Sequence, residues 1–177
     1  MSKILERLLA FHSSPAICGI KASNLICIDY DESIYKEIEE LNQAYPKLCF
    51  RVLKKNISKV LILVYRKKVF ENTLLNENSK AYLKSIGYDI TSVDTMLLGL
   101  EERLNDEEFP HEIGVFLGYD LEDIKAFTKG AECIYVGYWK VYSKLNEKLE
   151  IFNKYTKCRN CVINLINKGF PLESFMK

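Results

Sequence analysis

The amino-acid sequence predicts an α+β fold: a single domain, 1–177, with a mixed sheet of about four strands covered by several helices and a long C-terminal helix. Three observations lead there. A chain of 177 residues with 48% hydrophobic content has the size and apolar content of one domain with a sizeable core. Short runs rich in β-branched and aromatic residues alternate with stretches of helical periodicity. No internal repeat, low-complexity tract or linker rich in Pro, Gly and Ser separates the chain into halves.

Ile4, Leu5, Leu8 and Leu9 recur at helical spacing behind Ser2, a candidate N-cap, and Pro15 with Gly19 closes that short opening helix. The run from Asn24 to Tyr30 reads as a buried strand. Ile34, Ile38 and Leu41 mark one face of the next helix, which ends before Pro46. Leu48 to Leu53 and Val60 to Tyr65 form a hairpin pair across a polar connection, and the second of them suits a central position.

Three short helices follow, over 69–75, 81–86 and a segment capped by Ser92 that carries Val93, Met96, Leu97, Leu100 and Leu104. They are expected to cover the sheet. Ile134 to Tyr142 has the composition of a further strand. Leu145, Leu149, Phe152, Tyr155, Cys158, Val162 and Leu165 then form the apolar stripe of a long helix that Gly169 ends.

Composition removes several function classes. Twenty-five basic against 24 acidic residues leave a formal charge of +1, so no overall field favours nucleic acid or an anionic membrane. The longest strongly apolar stretch, Val60 to Tyr65, is too short to span a bilayer, and Glu6 and Arg7 interrupt the start where a signal peptide would need apolar residues. A cytoplasmic location is expected, with the six cysteines as reduced thiols. Cys158 and Cys161 match C-x-x-C, but inside a helical pattern rather than after a strand. A role as small core residues is preferred to redox use. No second such motif completes a zinc site, so no metal is assigned.

The segment Phe109 to Gly130, FPHEIGVFLGYDLEDIKAFTKG, has stronger punctuation than hydrophobicity. Pro110 suits the first turn of a helix, Gly118 its left-handed end, Asp120 the cap of a second helix and Gly130 its stop. On the first helix His111, Gly114, Val115 and Gly118 gather on one unusually small side. Bare backbone beside an imidazole would admit a flat ligand, and His111 could move protons with Glu112 orienting it or acting separately. Close helix packing accounts for the same glycines, and this bland reading is preferred. Glu122 and Asp123 at the start of the second helix argue against a DNA-recognition helix.

FPHEIGVFLGYDLEDIKAF followed by GYWKVY, together with HSSPAICGIK ahead of NLICI, resembles a bacterial family common in Firmicutes, catalogued as domain of unknown function 3793. The resemblance spans nearly the whole chain. The family opening combines His, Cys, a small residue, Pro and Thr with a Gly-x-Lys element, from which Ser13 and Ala16 depart. Ser13 removes a thiol there and weakens any proposal of a catalytic cysteine in that segment. The resemblance draws attention to His12, Pro15, Gly19 and Lys21 alongside His111, Glu112, Gly118, Tyr119, Trp139 and Lys140, and implies no chemistry for any of them. Lys21 reads as an anion-binding cation or as a solvated loop charge. In a strand, Trp139 and Lys140 would face opposite sides, with the indole packed across Gly137 as a core feature.

No phosphate loop, dinucleotide turn, nucleophile elbow or H-E-x-x-H helix occurs. Two readings stay open. One is a small-molecule or cofactor-binding domain centred on His111, with the cofactor, and whether the chain is an enzyme, left open. The other is a noncatalytic domain for protein interaction or regulation, recognisable by a contiguous exposed patch. Oligomeric state is left open in both.

Overall fold

The computed structural model describes residues 1–177 and has the expected α+β class, with a long C-terminal helix. Its contacts divide into two compact units, Met1–Phe70 with Lys157–Lys177, and Glu71–Thr156.

In the first unit, helix α1 (Lys3–Ile17) begins where the Ser2 side chain accepts the Leu5 amide at 3.3 Å. The helix runs through Pro15 rather than stopping there, since proline removes one amide donor without preventing the last turn: Cys18 N still donates to Ser14 O at 2.8 Å. Strand β1 (Ser23–Asp29) leads to helix α2 (Glu32–Ala44), capped by Asp31, and then to β2 (Leu48–Lys55) and β3 (Lys59–Arg66). Between the last two, Asn56 Oδ1 accepts the Ser58 and Lys59 amides at 3.0 and 2.7 Å and closes the hairpin.

The sheet order is β1-β3-β2, with β3 central as expected from its apolar run. Every pairing is antiparallel, and only three strands take part, which corrects the mixed, about four-stranded sheet. The reason is topological. β1 and β2 share a direction through α2, but β3 folds back between them, so the parallel pair never touches. Ile26, Ile28, Leu48, Phe50, Val60, Ile62 and Val64 alternate onto one face, where they pack with Leu5, Leu9 and Ile17 of α1, Ile38 and Leu41 of α2, and Val162. Arg66, at the end of β3, donates through Nε to Ile17 O at 2.6 Å and through Nη2 to Phe175 O at 2.5 Å. One guanidinium thereby joins the sheet, the end of α1 and the chain's C-terminal segment.

Helix α3 (Lys67–Leu74) crosses the division between the units. The second unit then holds α4 (Glu77–Ser85), α5 (Val93–Arg103), α6 (Ile113–Phe116) and α7 (Leu121–Thr128). Ser92 caps α5 in a reciprocal box with Thr95. The aromatic run 134–142 corrects the expectation of one strand. It makes a small hairpin of β4 (Tyr135–Val136) and β5 (Lys140–Val141). Gly137 lies between the two strands, and a methyl there would stand 2.2 Å from Phe152 Cε2, so the bare backbone is where Phe152 packs. Helix α8 (Leu145–Asn167) carries residues of both units, and a 3₁₀ turn, Leu172–Phe175, follows it. No helix is long and apolar enough to cross a membrane.

Candidate functional site

The segment around His111 folds as its punctuation requires, with one shift. Pro110 starts not an α-helix but a tighter turn: Ile113, Gly114 and Val115 donate to Pro110, His111 and Glu112 at 3.2, 3.2 and 2.9 Å, a three-residue spacing. Only with Leu117 N to Ile113 O, at 2.9 Å, does α spacing set in, so His111 precedes α6. Gly118 has φ 71°, and the bonds Tyr119 N to Gly114 O and Gly118 N to Val115 O close the paired motif that a left-handed residue permits. Asp120 then accepts the Glu122 amide at 2.9 Å and starts α7.

His111 is exposed, with its ring edge-on to Phe127 at 4.8 Å between centroids. Lys140, also exposed, places Nζ 5.0 Å from the centroid of the same ring. Glu112 points elsewhere and is buried. Its Oε1 accepts Tyr88 Oη at 3.0 Å and Arg103 Nη1 at 2.8 Å. His111 and Glu112 therefore diverge, as neighbours in a helical turn do.

Both of these hydrogen bonds fall on Oε1, and Glu112 lines a cleft of about 700 Å³. Tyr82, Arg103, His111, Lys125 and Lys129 line the same cleft. Arg103 is held twice more, over the Tyr88 ring at 4.4 Å and by a bond from Nη2 to Ile86 O. Burial first, and then the Glu112 charge, push the Tyr88 phenol far up, so it donates as a neutral hydroxyl. The Tyr82 phenol is also raised, by burial and then by Glu112, with Lys125 acting in the other direction.

The remaining candidates separate. Gly114 is buried, and a methyl there would lie 3.0 Å from Ile124 and 3.1 Å from Tyr119, so its bare side is filled by its own unit rather than by a cleft. Gly118 and Tyr119 line a second cleft of about 640 Å³ with Asp120 and Lys144, and Tyr82 and Lys125 border both clefts. Trp139 is buried. It stacks on Tyr119 at 4.8 Å and donates Nε1 to Asp123 Oδ2 at 2.8 Å, the core role expected of an indole. Lys21 belongs to the first unit, where its Nζ donates to Ser23 O and burial pushes its pKa down to about 7. There the family-like opening forms the end of α1: His12 is exposed, Ser13, Ser14 and Pro15 are buried, and Gly19, φ 73°, follows the last turn.

Tyr88, Arg103, Tyr82 and Lys125 escaped sequence reasoning. They reach Glu112 or its cleft from α4, α5, α7 and the loop after α4, and no short spacing unites them. A buried glutamate beside an apolar turn needs a cation and a donor from elsewhere, which is the one signal that could have prompted the search. No three His, Cys, Asp or Glu side chains come together in a way that would hold a metal ion.

No curated protein and no solved structure gave a match. A family model described as "Protein of unknown function (DUF3793)" matches residues 9–176, and the chain belongs to that family.

Proposed function

We propose that the second unit binds a small polar molecule in the cleft between His111 and Lys125, with Glu112 as its anchor. The observation that carries this reading is the buried Glu112 carboxylate. Tyr88 and Arg103 fix one oxygen, and the residue lines a concave space of about 700 Å³, within the usual range of ligand sites. A carboxylate oriented in this way costs no reorganisation when it accepts a hydroxyl or ammonium from a ligand. His111, Lys125 and Lys129 add cationic or proton-bearing groups to the lining, which suits a ligand carrying both a donor and an anionic arm.

Thermal unfolding in the presence of fractionated small-molecule extracts tests the proposal. A ligand at a hundredfold excess over its Kd stabilises by about 2.7 kcal/mol, or about 5–10 °C for a chain of this size. Glu112→Gln, which keeps the side-chain shape, should lose the shift. Equal shifts for both proteins would remove Glu112 from the site.

A second reading, a noncatalytic interaction or regulatory domain, rests on a different observation. Ile134, Tyr135 and Val136 are consecutively exposed, at 57, 42 and 65%, along a hairpin strand with a single partner. Val136→Lys would abolish association with a protein partner and leave small-molecule stabilisation unchanged. In either reading the six unpaired cysteines support a reducing, cytoplasmic setting. The first unit is completed only by residues 157–177, which follow the second unit in the chain, and this supports the two acting as one domain. A single cooperative thermal transition is the expected behaviour.

A further inference from the structure

The first unit carries an ammonium whose side-chain partners are two aromatic rings. Lys55 Nζ stands 4.1 Å from the centroid of the Tyr30 ring and 4.7 Å from that of the Tyr35 ring. No carboxylate of the protein pairs with it, although Asp31 and Glu32 lie between the two tyrosines in the chain. The rings meet at 63° with their centroids 6.4 Å apart, so they make the two walls of an open corner. Both tyrosines are half-buried and Lys55 is exposed, so the lysine fills the corner from a solvated position.

The fold fixes this corner. Tyr30 follows the last paired residue of β1 and donates its amide to Ser58 O at 2.8 Å, while its ring packs against the core. Tyr35 stands in the first turn of α2, with its amide on Asp31 O at 2.9 Å. Lys55 arrives there through an irregularity in β2. Val52 pairs with Ile62 and the next pair is Lys54 with Leu61, so Leu53 is an extra residue. Every later residue shifts by one, and Lys55 rather than Lys54 lies opposite Val60. Val60 faces the core that α2 covers, so Lys55 points to the side on which the tyrosines stand.

We infer that Tyr30 and Tyr35 form a binding site for a small quaternary ammonium compound of the choline type, with Lys55 as its displaceable occupant. A quaternary ammonium has no N–H to donate, so ring faces recognise it where hydrogen-bond acceptors cannot. A corner that already holds an ammonium with no anionic partner meets that requirement. The exchange also favours the ligand. A lysine ammonium is compact and strongly hydrated, and it regains its full water shell on leaving. A trimethylammonium group is wider and weakly hydrated, and it reaches both rings at once.

The test records proton–carbon NMR spectra of the tyrosine rings in the full chain during titration with tetramethylammonium chloride and with choline chloride. Sodium chloride at equal ionic strength is the control. Both organic cations should give saturable shifts confined to Tyr30 and Tyr35, and sodium none. Lys55→Ala, at an exposed position, should bind both cations about two- to fivefold more tightly, the weight of one exposed cation–π contact. Tyr35→Phe should keep the site and Tyr35→Leu should lose it. Phosphatidylcholine vesicles should not sediment the protein, which separates a free ligand from a lipid headgroup. Shifts no larger than those from sodium, equal or weaker binding by Lys55→Ala, or sedimentation with the vesicles would overturn the inference. If Tyr35→Leu fails to fold, Lys55→Ala and Tyr35→Phe still decide it.

Discussion

The single indole of the chain, Trp139, donates Nε1 to Asp123 Oδ2 at 2.8 Å, and the other oxygen of that carboxylate accepts the Tyr142 amide at 2.9 Å. Asp123 is buried in α7 and holds the aromatic hairpin at two points. Without it, a buried indole N–H and a part-buried backbone amide lose their acceptor. Asp123→Ala should therefore destabilise the protein by about 2–4 kcal/mol. Denaturant unfolding followed through Trp139 fluorescence measures this directly, and the emission of the folded variant should shift to the red as water reaches the ring.

Asp120 has two roles: it caps α7 and pairs with Lys148, which is 4% exposed. Burial raises the Asp120 carboxyl, but the Lys148 bond, the Glu122 amide and the Lys148 charge outweigh it, and the net shift is downward. Asp120→Ala removes the cap and strands a buried ammonium. The expected loss is about 3 kcal/mol, the low end of the buried-pair range, because water still reaches part of the Asp120 side chain. Asp120→Asn keeps the cap but not the charge, so its midpoint in urea should fall between those of wild type and Asp120→Ala.

Glu6 contributes to the acid limb of stability in the first unit. Burial pushes its carboxyl up, yet bonds from Lys3 at 2.9 Å and the Leu172 amide at 3.1 Å, with the Lys3 and N-terminal charges, bring it below the ordinary carboxylate value. A group whose pKa is lower in the folded state contributes stability that is present above the unfolded value and lost as pH falls through the folded one. The wild type should therefore lose stability from about pH 5 downward. Glu6→Gln should start less stable at pH 7 and show a shallower decline, a difference visible in thermal midpoints recorded across that range.

Gly137→Ala would bring a methyl 2.2 Å from Phe152 Cε2 and 3.1 Å from Tyr135 Cε1. Phe152 is buried against Trp139 and has little room to retreat. Overpacking of about 1–3 kcal/mol is expected, read as a lower urea midpoint with unchanged slope.

Much of the fold was legible because it is written locally. Ser2, Ser92, Asp120, Gly118 and Gly130 act within a turn of their own position, and the unbroken apolar run 60–65 marks β3 for the centre of the sheet. What was misread depends on distant residues. The mixed sheet expected is antiparallel throughout because β3 lies between β1 and β2, and the run 134–142 folds back where Phe152 fills the space beside Gly137 and Asp123 holds Trp139 and Tyr142. The candidate site divides in the same way. His111 and Glu112 stood out by type and spacing. The Tyr88 and Arg103 that orient Glu112 lie 24 and 9 positions away, and the filling of Gly114 by Ile124 requires α7 to be in place.

Native mass spectrometry of the protein, isolated under anaerobic and nondenaturing conditions beside Glu112→Gln, tests the cleft most directly. The wild type should carry a small organic molecule at reproducible mass, bound about 10- to 100-fold more weakly by the variant, as the loss of a hydrogen bond to a charged group implies. A molecule retained equally by both proteins, or a wild type that carries none and gains none from the extract it came from, would contradict the assignment of Glu112 as a ligand anchor.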